Sequence, residues 1–420
     1  MLRSLAARLA SGELDPVAHM RDVLDRLAAD PFNLVVTLDA ERALAEAAHP
    51  RPGPLSGVPV GVKDLIDVAG LPTRCGSNVL ADAAPATADA PVVAMLRAAG
   101  AIVVAKLHTH EFAFGPTGDI AATGPARNPH DPTRITGGSS SGSAAAVAAG
   151  YLPLALGTDT GASVRTPAAL CGVVGLKPRY GALPVDGVFP LSESCDHVGL
   201  LAPDVDSAAF AWEVLSEGNT PELGKLRVGV LVDDYWQPFD PVLDDAVSTA
   251  VAGLRAAGAE IVEVRTPMID ELAGTYPRIV GTEAYTTHGA WLAERPEAYQ
   301  PQTLARLTPW ADVPATEYVR TQRARRRLVE ELAQACADVD VLVLPTTRLR
   351  ATPIGAEEAD GHAVRPSLLA LTLPFNLTGW PAVSVPGAVS DGGLPTGVQV
   401  VGVRLDEHAV LRVGAAIAQA

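Results

Sequence analysis

Residues 137–178 read GGSSSGSAAAVAAGYLPLALGTDTGASVRTPAALCGVVGLKP, and the fold turns on this stretch. By composition its first third is a flexible Gly/Ser linker entering an alanine helix. By position it is something else. An apolar run at 152–160, LPLALGTDT, follows at once and reads as a strand entering a loop. PAALCGVVGLKP at 167–178 is again apolar and rich in turn residues. A linker has no place among such core-forming segments. A phosphate loop would use the free N–H groups of the helix start, but its Gly-Lys-Ser/Thr ending is missing.

Working outward, the same alternation continues in both directions. Upstream, LSGVPVGVKDLID at 55–67 breaks short apolar runs with Gly and Pro, which predicts buried strands. Residues 91–99 predict a helix closed by Gly100, and AIVVAKL at 101–107 a fully buried strand. Residues 2–49 read as two helices, with Leu5, Leu9, Val23, Leu24 and Leu27 at helical spacings. Downstream, strands are predicted at 226–234, 259–264, 339–346, 381–389 and 396–403, and helices at 244–257 and from 407 to the end. Residues 271–336 are mostly helical, with prolines interrupting. This alternation predicts one α/β domain over 1–420, not two. Its centre is a mixed, mostly parallel twisted sheet with helices on both faces. The segment at about 270–336 is expected to form a cap or lateral layer.

Composition narrows the function. Of 420 residues, 48% are hydrophobic, so the chain is globular with a generous core, and the formal net charge of −16 argues against a nucleic acid partner. The one basic run, RTQRARRR at 320–327, reads as a solvated helix face. The four cysteines, Cys75, Cys171, Cys195 and Cys336, are widely spaced and form no CxxC pair. Free, mostly buried thiols in a reducing compartment are expected. No run reaches the roughly 18–20 apolar residues of a membrane span, and the N-terminus lacks the parts of a signal peptide. These readings predict a cytoplasmic protein without a membrane partner.

Three features taken together are more specific than any one alone: Lys63 in VPVGVKDLID, Ser139 in the Gly-rich turn, and Ser163, 24 residues further on. With PLSGVPVGVKDLIDVAGLPT, the Asn128-Pro129 pair and LPFNLTGWPAVSVPGAVSDGGLPTGVQVVG near the end, the chain resembles the amidase signature family over nearly its whole length. The signature core lies at about 55–205. The resemblance implies a Ser–cis-Ser–Lys triad, with Ser163 as nucleophile, Ser139 as the bridging serine in a cis peptide, and Lys63 as base. It also implies an oxyanion hole from the N–H groups of Thr160, Gly161 and Ala162.

The chemistry fits those residue types. An amide carbonyl is a poor electrophile and needs an activated nucleophile and a stabilised oxyanion. A lysine removes a serine proton only when its amine is neutral, and burial lowers its pKa. The apolar neighbours Val58, Val60, Val62 and Leu65 suit such burial. Ser140 is expected to support the loop by hydrogen bonding, and Asp159 and Arg165 to order the nucleophile turn. Phe114 and Gly115 are candidates for the substrate pocket. Two positions depart from the family. Ser141 stands where glycine is frequent, and Ala162 replaces the second of two glycines, which would strain the hole if that position needed a positive φ.

Other chemistries fit less well. His108 and His110 sit two apart with no third ligand, so no metal is expected, and no organic cofactor is needed. Cys171 reads as an inert buried thiol, and Asp196 and His197 as structural. The expected reaction is hydrolysis of a linear amide C–N bond. A carbamate, urea-type or ester substrate would use the same machinery. The glutaminase-type component of a tRNA-dependent amidotransferase, its A subunit, shares the motifs. The resemblance also suggests a homodimer.

Overall fold

The computed structural model describes residues 1–216 and 224–418. Eleven strands form one sheet and are numbered in chain order: β1 Val35–Leu38, β2 Pro59–Lys63, β3 Ile102–Leu107, β4 Ala155–Asp159, β5 Val174–Lys177, β6 His197–Ala202, β7 Arg227–Leu231, β8 Glu260–Val264, β9 Val341–Pro345, β10 Ala382–Pro386 and β11 Gly397–Gly402. Across the sheet they run β1-β3-β2-β4-β6-β5-β10-β11-β9-β7-β8. The sheet is mixed, as expected, but it is not mostly parallel. Parallel pairing is confined to β3-β2-β4 and β9-β7-β8. All other neighbours are antiparallel. The reason lies in the connections. β10 and β11 are joined by ten residues with no crossover helix, and an antiparallel pair needs none.

Both faces of the sheet are buried. Along β3, Val103 enters one hydrophobic cluster while Ile102 and Val104 enter another, which is why this strand is apolar throughout. Residues 2–49 are not two helices but three, Leu2–Ser11, Pro16–Ala28 and Ala40–Ala48, with β1 between the last two. β1 has four residues, only half-buried, at the sheet edge, too short for its period to show beside the helical pattern around it.

Three helices fill 269–335: Ile269–Glu294, Pro301–Leu307 and Ala315–Ala335. The first packs with Phe112, Trp236 and Phe375 in a third cluster. The basic run lies on the last, and only part of it is solvated. Arg327 pairs with Glu271 and Glu331 at the surface. Arg325 turns inward and donates to the carbonyls of Leu377 at 2.8 Å and Ser194 at 3.1 Å. Successive residues of a helix point about 100° apart, so a run of arginines cannot share one face. All four cysteines are buried and unpaired. Among the described residues no helix is long and apolar enough to cross a membrane.

The parallel trio fixes the site. β2 and β4 are neighbours running the same way, with Gly61 opposite Ala155 and Val62 opposite Leu156. Their carboxyl ends, Lys63 and Asp159, therefore open on one edge, where α/β sheets place their ligands. The helix Ser141–Ala148 lies against this trio with only small side chains in its first turns. A Cβ on Gly142 would meet the Leu34 carbonyl oxygen at 2.6 Å, so only glycine lets the backbones approach this closely.

Candidate active site

Lys63, the last residue of β2, is completely buried, as are Ser139 and Asp159, while Ser163 keeps 5% of its surface exposed. Lys63 Nζ donates to Ser139 Oγ at 2.6 Å and to Thr158 Oγ1 at 2.7 Å. The peptide between Gly138 and Ser139 is cis. Burial drives the Lys63 ammonium down from 10.5 to about 7, against the opposing pull of Asp159, Asp196 and Cys75. Near neutral pH a large share of this amine is therefore uncharged.

The serine loop and the loop after β4 are stitched together. Ser140 N donates to the Ser163 carbonyl at 3.1 Å. Ser140 Oγ donates to Thr158 O and accepts from Thr158 N, both at 3.2 Å. Ser163 thus stands on the turn adjoining Ser139. Among the described residues its hydroxyl makes no hydrogen bond to a protein group.

The turn itself is held by a buried ion pair. Arg165 Nη2 lies 2.8 Å from Asp159 Oδ1, and Asp159 Oδ2 accepts from the N–H groups of Val164 and Arg165 at 3.0 and 3.3 Å. Burial alone would raise the Asp159 pKa. The Arg165 guanidinium outweighs it and holds the carboxyl well below the usual range. Arg165 reaches further, donating to Gln399 Oε1 at 2.7 Å and Asn376 Oδ1 at 2.6 Å. Asp196 also serves this loop: Thr160 Oγ1 donates to it at 2.5 Å. Burial pushes the Asp196 carboxyl up to about 6. His197 Nδ1 lies 2.6 Å from the Cys195 carbonyl, so these adjacent residues serve different anchors.

Among the described residues the N–H groups of Gly161 and Ala162 donate to no protein acceptor. Neither residue has a positive φ, so alanine at 162 brings no backbone strain. Gly161 is required for another reason. A Cβ there would collide with the Tyr276 hydroxyl and stand 2.7 Å from its Cζ.

On the other side of Ser139, His110 N donates to the Ser139 carbonyl at 3.1 Å. Phe114 is buried, and its carbonyl accepts from Arg306 Nη1 at 2.9 Å. A Cβ on Gly138 would meet the Gly115 carbonyl oxygen at 3.0 Å, so Gly115 borders the cis peptide. His108 Nδ1 lies 2.7 Å from Ser141 Oγ, which gives the serine at this frequent-glycine position a partner. Burial lowers the pKa of His108 to about 4 and holds that of His110 well below the ordinary histidine value.

Sequence reasoning missed Thr158, Tyr276, Arg306, Asn376 and Gln399. Thr158 and Asn376 lie in stretches that resemble the family, and their polarity within apolar runs was the available signal. A surface groove of about 790 Å³ is lined by residues such as Met1, His19, Tyr151 and Cys171 and by none of Lys63, Ser139 and Ser163.

An amidase family model matches residues 20–411. The chain is 36% identical over 400 residues to AtzE, the 1-carboxybiuret hydrolase component of Pseudomonas sp. (strain ADP), covering 90% of this chain and 86% of that one. It is 36% identical over 458 residues to the A component of the glutamyl-tRNA(Gln) amidotransferase of Roseiflexus castenholzii (strain DSM 13941 / HLO8), covering 97% and 92%. A crystal structure of an amidase superposes with a TM-score of 0.93 at 37% identity, covering 100% of this chain and 99% of that one.

Proposed function

Because the chain belongs to the amidase family, we propose that it hydrolyses the carbon–nitrogen bond of a linear amide through an acyl-enzyme on Ser163. One observation carries this reading: the wholly buried contact of Lys63 Nζ with Ser139 Oγ, at 2.6 Å, on a loop bonded to the Ser163 turn. Neutral Lys63 takes the Ser139 proton as Ser139 takes that of Ser163. Ser163 Oγ then bonds to the carbonyl carbon. The Ser139–Ser163 contact closes when substrate is bound, as catalytic hydrogen bonds often do. The oxyanion rests on the N–H groups of Thr160, Gly161 and Ala162. Collapse breaks the C–N bond, and the proton held by Lys63 reaches the leaving nitrogen through Ser139. Water, deprotonated along the same route, then cleaves the ester and restores Ser163.

Asp159, Arg165 and Ser140 act as positioning residues, and the helical segment at about 270–336 covers the substrate side through Tyr276. The same machinery would open a carbamate, urea-type or ester carbonyl, and a cytoplasmic setting suits the four free thiols.

Labelling with an uncharged fluorophosphonate tests the reading without knowledge of the substrate. Stoichiometric label on Ser163, absent in Ser163→Ala and slowed in Lys63→Ala, is expected. Label on another residue in otherwise folded protein sinks it.

A second reading, a glutaminase-type component working in an amidotransferase complex, is favoured by the identity to the Roseiflexus protein over 97% of this chain. Co-purification of a second, different polypeptide together with glutamine hydrolysis would establish it. A chain that purifies alone and hydrolyses amides but not glutamine would exclude it.

A further inference from the structure

Two guanidinium groups stand beside this site without a counter-ion. Arg306, on the helix Pro301–Leu307, directs Nη1 at His110 Nε2, 3.1 Å away, and at the Phe114 carbonyl, 2.9 Å away. Arg365, on the helix Val364–Leu369, has its Cζ 5.9 Å from the Phe114 ring centroid. Its Nε is buried with no hydrogen-bond partner. Among the described residues neither side chain forms an ion pair within 4.0 Å. Asp119 and Glu357 act on Arg306 only from beyond that distance, and Asp119 Oδ2 already accepts from Gly355 N at 3.0 Å. The two arginines repel each other, and burial disfavours the charge on both.

Both are tied to the reacting centre through the segment 110–115. Arg306 contacts His110, whose N–H holds the Ser139 carbonyl. A Cβ on Gly115 would meet Arg306 Nη1 at 2.7 Å, and Gly115 borders the cis peptide. Arg365 lies over the ring of Phe114, whose carbonyl accepts from Arg306. Like charges that are partly desolvated and lack counter-ions are costly. Two guanidinium forks against the segment that holds the Ser139 carbonyl match a group with two anionic oxygens, which would relieve that cost.

We propose that the substrate is a small amide carrying its own carboxylate, and that Arg306 and Arg365 hold this carboxylate while Ser163 attacks the amide. The proposal rests on the amide-hydrolase reading above. It narrows that reading to half-amides and related carboxylate-bearing amides and disfavours neutral ones.

The test uses the monoamides of malonic, succinic and glutaric acids, each paired with the uncharged diamide of the same acid. Each compound is used to slow fluorophosphonate labelling of Ser163, and each variant's rate is normalised to its own rate without ligand. The best monoamide is expected to protect at a concentration at least about tenfold below its diamide, the ratio expected of a charge-assisted contact. Arg306→Gln and Arg365→Gln should erase that preference, and Arg365→Lys should restore part of it. Where turnover is seen, the loss should fall on KM more than on kcat.

Equal protection by acids and diamides overturns the proposal, and so does a preference that survives both glutamine variants. Failure of Ser163 to label at all would instead count against the amide-hydrolase reading. Calorimetric titration of Ser163→Ala with the same monoamides then decides the carboxylate site independently. Binding lost in Arg365→Gln supports it, and no binding by any monoamide overturns it.

Discussion

Tyr276 lies against the backbone of Gly161 so closely that the space for a side chain at 161 is filled by the phenol. A helix from the middle of the chain thereby fixes the floor of the loop that precedes Ser163. Gly161→Ala must move either the loop or Tyr276. Loss of one oxyanion donor lowers kcat on the order of 10²–10³-fold, and that is the expected effect. Combining it with Tyr276→Ala should recover part of the loss. A Gly161→Ala enzyme within about threefold of the parent kcat, the change expected when no donor is displaced, would show that Tyr276 and not the loop gives way.

Activity should rise with pH through about 7, the value to which burial lowers Lys63, because only the neutral amine accepts the serine proton. The profile of kcat/KM against pH on a substrate with no group titrating in that range checks this. A flat profile between pH 5 and 9 would remove Lys63 from the role of base.

The same shift has a consequence for stability with a definite sign. Between about pH 7 and the ordinary lysine value of 10.5, the unfolded chain holds a proton that the folded chain has released. Stability therefore rises with pH across this window, and the penalty of burying Lys63 is largest below it. Relative to Lys63→Met, the parent should gain up to about 1.4 kcal/mol per pH unit in that window. Urea unfolding of both proteins at pH 7, 8 and 9 measures the slope. Parallel curves would mean that Lys63 keeps its charge on folding.

Arg165→Met leaves the Asp159 carboxylate buried without its partner. A loss of about 3–5 kcal/mol in unfolding free energy is expected, with slower labelling of Ser163 in the protein that remains folded. A loss below about 1 kcal/mol, the size of a surface pair, would show that the pair is more hydrated than the structure has it.

Ala162→Gly is the opposite kind of change. Ala162 needs no positive φ, so glycine adds freedom only to the unfolded chain. A stability loss of about 0.4–1 kcal/mol with little change in kcat is expected. A large gain in kcat would mean that the alanine methyl obstructs the hole.

What the sequence made legible follows from what is local. Lys63, Ser139 and Ser163 were singled out through the family resemblance, and the short strand ends and Gly-rich turns that carry it are local stretches. The buried strands were visible for the same reason, as short apolar runs between Gly and Pro. Their partners were not. Whether β5 meets β10 parallel or antiparallel depends on how the chain returns, which no window of residues records. The residues that crowd the site, Tyr276, Arg306 and Arg365, come from helices far along the chain. Arg325 looked like its solvated neighbours and differs from them only in the direction it points.

Arg165 bonds to Asn376 and Gln399, more than two hundred residues further along the chain. During synthesis the segment bearing Ser163 leaves the ribosome long before these two residues exist. Until they arrive, the guanidinium lacks those acceptors, and the nucleophile turn cannot take its finished form. A nascent chain halted before residue 376 should therefore hold Lys63, Ser139 and Ser163 and still be catalytically silent. On the reading proposed above, the segment 376–420, about a tenth of the polypeptide, sets the moment at which activity appears.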